Sequence, residues 1–161
     1  MSVLGGLIIV LVVLAAASAA GLAFRARRGR FQRSRSATSL PGTATADSGT
    51  AASHGAVLTA SDLGTALGER ATLVQFSTEY CTYCGPTREL LTEVAGERDG
   101  VAFVEIDAAA RMDLTRRLRV MATPTILLLG PKGTIESRAS GRPRKPELLA
   151  AVGTVLGAGE K

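Results

Sequence analysis

The chain opens on an unbroken apolar run, passes through a segment without period, and then settles into short alternating elements. Val3 to Phe24 (VLGGLIIVLVVLAAASAAGLAF) carries no charged side chain. As a helix its 22 residues rise about 33 Å, enough for a hydrocarbon core of about 30 Å. No polar face interrupts it, so a buried core helix fits less well than one transmembrane helix over 3–24. A cleaved signal peptide is the alternative. It calls for a positive region ahead of the apolar stretch, and only the amino terminus precedes this one. Ser36 to Gly55 has no apolar period, and sixteen of its twenty residues are Ser, Thr, Ala or Gly. It reads as a flexible linker, and the chemistry of His54 within it finds no partner.

From Ala56 the pattern becomes that of a folded domain. Ser61-Asp62 offers an N-cap for a short helix, Leu63 to Leu67, ending near Gly68. Ala71 to Phe76 is a buried strand. A helix follows over Cys81 to Glu97, with Leu90, Leu91 and Val94 on its apolar stripe. Val101 to Ile106 is a second strand, and Ala109 to Leu118 a helix with a basic last turn. Pro124 to Leu129 is a third strand, joined through the turn Pro131-Lys132-Gly133 to a hairpin partner, Thr134 to Ala139. Pro146 suits the first position of a last helix, Pro146 to Leu156. A short strand at Ala56 to Leu58 completes the set. Strand–helix–strand units imply parallel neighbours, and the hairpin an antiparallel edge. The fold class is therefore α/β, one three-layer domain over 56–161 around a mixed sheet flanked by helices. The organisation reads as anchor 3–24, basic segment and linker 25–55, domain 56–161.

Composition sharpens this picture in three places. Aromatics are 4% of the 161 residues and Trp is absent, so the core rests on Leu, Val, Ile and Ala. The net charge of +5 invites a nucleic-acid reading until it is located: Arg25, Arg27, Arg28, Arg30, Arg33 and Arg35 supply +6, Asp47 subtracts one, and 56–161 nets zero. Nucleic-acid binding needs a basic face on the folded module, so that class is set aside. Basic residues flanking a spanning helix stay on the cytoplasmic side and pair with anionic lipid. The arginines of Arg25–Arg35 thus place the domain in the cytoplasm on a single-pass membrane protein, with an extracytoplasmic domain as the alternative. Finally, two cysteines and one histidine fall short of a four-ligand zinc site, and no metal or cofactor is expected.

Both cysteines lie in one C-x-x-C, Cys81-Thr82-Tyr83-Cys84, between a buried strand and a helix. At a helix start the free N–H groups and the positive dipole end favour a thiolate, making the outer cysteine a nucleophile at neutral pH. A purely structural disulfide is disfavoured, because so short a ring removes little chain entropy. Tyr80 and Tyr83, the only tyrosines, border the cysteines and suit an apolar rim for substrate.

These elements, with Glu79-Tyr80-Cys81-Thr82-Tyr83-Cys84 after L-V-Q-F and Ala122-Thr123-Pro124-Thr125 before a strand, resemble the thioredoxin family over about 56–156. The resemblance implies thiol–disulfide exchange with disulfide-bearing proteins, with a reductase or other thiol as electron donor, by a monomer. Cys81 would attack and Cys84 resolve, the pair forming the redox-active disulfide. It also implies a cis Thr123–Pro124 bond facing the cysteines, with the Thr123 backbone open to substrate. Tyr80, Tyr83, Thr123 and Pro124 are then the substrate-binding residues. Alternatives within the resemblance are an extracytoplasmic protein for cytochrome maturation or oxidative folding, and a docking module without turnover. The chain departs from the pattern in three respects. Tyr80 replaces a Trp. Thr82-Tyr83 replaces Gly-Pro, which follows instead as Gly85-Pro86 and should make the helix start late or kink. Gln75 and Phe103 stand where a buried Asp and its accompanying Lys are usual. Gln75 cannot take a proton, which bears on the resolving step.

Overall fold

The computed structural model describes residues 11–18, 21, 32–33 and 56–158. Helix α1 includes residues 11–18, where Leu11, Val12, Val13 and Leu14 are exposed. Among the described residues no helix is long and apolar enough to cross a membrane. The remainder of the expected anchor, 3–10, 19–20 and 22–24, lies outside the described residues, as does the linker with His54.

Five strands form one sheet in the order β1-β5-β4-β2-β3: β1 Gln32–Arg33, β2 Ala71–Ser77, β3 Val101–Asp107, β4 Thr125–Leu129 and β5 Ile135–Ser140. β2 runs parallel to β3 and antiparallel to β4, which pairs antiparallel with β5. Every residue of β2 is buried, as a strand with neighbours on both sides and helices on both faces must be. Its alternation splits the core in two. Val74 and Phe76 pack with Leu114, Leu118, Leu127 and Leu129 on one face. Leu73 packs with Leu91, Val94, Ile126, Leu128 and Val152 on the other. Helices α2 (Ala60–Leu63) and α4 (Met112–Arg117) cover the first face; α3 (Cys84–Gly96) and α5 (Lys145–Ala158) cover the second. The mixed sheet between two helical layers is the expected architecture.

Differences lie at element ends. The first short helix is Ala60–Leu63 rather than Leu63–Leu67. Thr59 caps it, its hydroxyl accepting from the Asp62 N–H while the Asp62 carboxylate accepts from the Thr59 N–H, and Gly64 ends it at φ 71°. Asp62 is thus the third residue of a capping box and not the cap, and the Thr59 N–H holds its carboxyl below the usual range. The expected helix start at Cys81 moves to Cys84, because Cys81–Tyr83 turn instead, with the Cys84 N–H donating to the Cys81 carbonyl at 3.1 Å. Pro86 is then the third helical residue, where a missing N–H loses no intrahelical bond, so the sequence needs no kink there. α4 begins at Met112 and not Ala109, since the Asp107 side chain takes the Ala109 N–H at 2.8 Å and turns the chain first. Ala56–Leu58 contributes an isolated bridge, Val57 to Thr134, with the Leu58 N–H donating to Gly133 at 2.9 Å.

Two features were not foreseen. Gln32–Arg33, inside the segment assigned to lipid contact, pairs with Arg138 and Ser137 and so lies on the open edge of β5. An edge strand presents unpaired backbone groups that any extended segment can satisfy. Arg138 itself is 7% exposed, and its guanidinium donates to the Leu118 and Arg119 carbonyls at 2.6 and 2.9 Å. It closes the end of α4 where Arg119 adopts φ 49°, just before the loop that leads to Pro124.

Candidate functional site

The sheet delivers two loops to the same end of the molecule. One follows β2 and carries the cysteines; the other precedes β4 and carries Thr123-Pro124. A bond between the hydroxyls of Thr78 and Thr123, 3.2 Å apart, joins them. The Thr123–Pro124 peptide is cis. A third connection, after β5, docks by the Gly141 N–H donating to the Pro124 carbonyl at 2.7 Å.

Cys81 and Cys84 form a disulfide, with Cα atoms 5.4 Å apart. Cys84 is 3% exposed, whereas Cys81 is half-buried and reachable from solvent. The difference divides the two sulfurs by access. Cys84 opens α3, whose cap residue Tyr83 makes no side-chain cap bond and whose first turn holds no acidic residue. The first turn of this 13-residue helix thus puts no carboxylate of its own at the positive end, which favours thiolate at the reduced pair.

Beneath the cysteines, Gln75 is fully buried and its side-chain Nε2 donates to the Cys84 carbonyl at 3.0 Å. Its Oε1 has no hydrogen-bond partner among the described residues. The expected departure thus sits in direct contact with Cys84, and the floor of the site is a neutral amide. Phe103 is half-buried in the apolar cluster of the α3 face, opposite Leu73 on β2. Arg88 on α3 grips Glu105 on β3 through two bonds of 2.6 and 2.8 Å, fixing the helix against the sheet, and its guanidinium holds the Glu105 carboxyl below the usual range.

Around Cys81 the surface is apolar. Tyr80 is 91% and Tyr83 61% exposed, as a substrate rim requires. Thr123 is half-buried. Pro124 is buried, so contact with a partner at that loop falls to Thr123, Ala122 and Met121. Met121, 88% exposed, was missed by sequence reasoning, as were Thr78 and Gly141. Loop residues have no period to reveal them; the one available signal was a bulky apolar side chain stranded between a basic helix and a strand. Among the described residues no three His, Cys, Asp or Glu side chains come together as a metal site.

Compared with known proteins, residues 56–154 match the family described as Thioredoxin. Among solved structures, chloroplastic thioredoxin z is similar at 26% identity and TM-score 0.50, covering 55% of this chain and 80% of that one. Thioredoxin-2 of a malaria parasite, a component of its protein secretion machinery, has the same fold at 18% identity and TM-score 0.51, covering 58% and 90%. The thioredoxin NaTrxh of Nicotiana alata is 27% identical, with TM-score 0.47 over 53% and 73%. No curated protein matches the chain.

Proposed function

The chain belongs to the thioredoxin family, and from that premise we propose that it is a membrane-tethered thiol–disulfide oxidoreductase acting on protein disulfides. The observation that carries the reading is the Cys81–Cys84 disulfide at the start of α3, with one sulfur accessible and the other buried. In the reduced enzyme, the Cys81 thiolate attacks one sulfur of a substrate disulfide. The substrate S–S bond breaks, a Cys81–substrate bond forms, and the other substrate sulfur leaves as a thiolate that takes a proton. Cys84, once deprotonated, attacks the Cys81 sulfur. The Cys81–Cys84 bond forms and the second substrate thiol departs. Two electrons pass from the enzyme dithiol to the substrate, and a thiol-bearing reductase returns them. Tyr80 and Tyr83, exposed beside the cysteines in the chain, and Thr123, on the loop joined to theirs through Thr78, are the surfaces this reading gives to substrate.

Tethering rests on the apolar run of 3–24 and on the exposed apolar side chains of α1. The six arginines between Arg25 and Arg35 assign the domain to the cytoplasmic side, where each contributes about 1 kcal/mol with anionic lipid. An impermeant thiol reagent added to intact cells under reducing conditions should then leave both cysteines unlabelled; labelling would place the domain outside.

The activity test is reduction of insulin with dithiothreitol as donor. The full chain in detergent should accelerate precipitation well beyond dithiothreitol alone, and Cys81→Ser should return it to that baseline. A parent protein no faster than dithiothreitol would leave a docking module without turnover.

A further inference from the structure

A cleft of about 560 Å³ runs beside the redox site, between α3 and the connection from β5 to α5. Its floor is apolar, made by Pro86, Leu90 and the buried Pro143. One wall belongs to α3, the helix that opens on Cys84. Pro86 and Leu90 lie two and six residues beyond Cys84 on α3, about 3 and 9 Å along its axis. The opposite wall is anchored by the Gly141 bond to Pro124. An extended chain covers about 9 Å in about three residues at about 3.3 Å each.

The charges of this cleft are unequally satisfied. Lys145 is engaged by Glu93 at 2.7 Å, which neutralises both. Arg144 is 76% exposed and comes no closer than 3.9 Å to Glu147. Arg142 is exposed and makes no ion pair among the described residues. Of the two carboxylates on the facing wall, Glu93 is held by Lys145, and Glu89 is the one left opposite these two guanidinium groups. Neither arginine side chain is buried, and Arg144 takes part in the start of α5 through its backbone carbonyl, which accepts from the Leu148 N–H at 3.0 Å.

The geometry points to this cleft as the place where an acidic segment of the substrate protein docks, two to four residues from its reacting cysteine, on Arg142 and Arg144. The inference rests on the redox reading above and adds a preference to it. Glu89 opposes the occupant, so its removal should strengthen what loss of the arginines weakens. A structural role for these exposed residues gives no such pair of opposite signs. An exposed ion pair changes an equilibrium by a factor of about 1.4–5, so two arginines set a preference of about two- to twentyfold.

The test uses the full chain in detergent, dithiothreitol as donor, and two synthetic peptides. Each peptide has one intramolecular disulfide, followed from the second residue after a cysteine by four Asp or by four Lys. The quantity read is the ratio of kcat/KM, acidic peptide over basic. The parent should give a ratio of about two or more, carried by KM and collapsing toward one in 0.5 M salt. The double variant Arg142→Glu, Arg144→Glu should bring the ratio below one, and Glu89→Gln should raise it about twofold. A ratio that the charge reversal leaves where it was, or that Glu89→Gln lowers, overturns the docking assignment while both peptides are still reduced. Reduction of neither peptide by the parent removes the redox reading, and the preference with it.

Discussion

Gln75 is the residue on which the chemistry of this site turns. Its amide reaches the Cys84 carbonyl, and its buried Oε1 meets no partner among the described residues. An amide neither accepts nor releases a proton at neutral pH, so deprotonation of Cys84 falls to some group other than Gln75. Gln75→Asp should therefore speed the resolving step, since a desolvated carboxyl has a raised pKa suited to taking the thiol proton. The same change removes the donor to the Cys84 carbonyl and buries an acid, lowering the unfolding free energy by about 1–3 kcal/mol. Stopped-flow resolution of a preformed mixed disulfide, beside a urea melt, measures both; faster resolution with a lower midpoint is expected, and slower resolution would assign proton transfer elsewhere. Gln75, Cys81, Cys84 and Pro124 were legible because each sits at a fixed place relative to a strand end. Arg138 was not. E-S-R-A-S reads as an exposed strand, and only the open carbonyls at the end of α4 explain why a guanidinium is buried there.

At the scale of elements, apolar runs identified the strands and stripes identified the helices, because burial on both sheet faces leaves that pattern in β2, β4 and α3. The ends were less legible, since they depend on side-chain bonds to single backbone groups. Thr59 displaces Ser61 as the cap of α2 only because Asp62 returns the bond, and α3 starts late only because Cys81–Tyr83 are turned beneath the disulfide. The β4–β5 hairpin shows how strictly such an end is specified. Gly133 has φ 78°, its carbonyl receives the Leu58 N–H, and a Cβ there would collide with the Leu58 carbonyl oxygen. Gly133→Ala should thus lower stability by about 2 kcal/mol, from left-handed backbone together with the displaced Leu58 segment. A denaturant midpoint that does not move would mean the turn relaxes freely.

At the scale of the molecule, the sequence separates an uncharged apolar run, 3–24, from a folded domain that begins at Ala56, and β1 shows that the stretch between them is not wholly a spacer. Its pairing with β5 involves two residues with no period, so nothing in the pattern announced it. The full chain should sediment with membranes, whereas residues 56–161 alone should stay in the supernatant and melt in one cooperative transition. Sedimentation of both alike would mean that the apolar segment is not the anchor. The most direct measurement concerns the division of labour between the two sulfurs, which access and helix position assign together. Cys84→Ser, mixed with a disulfide-bonded peptide and analysed by intact-mass spectrometry, should accumulate a covalent adduct on Cys81, because attack proceeds and resolution cannot. Cys81→Ser should form none. An adduct on Cys84 in the Cys81 variant, with none in its counterpart, would contradict the account.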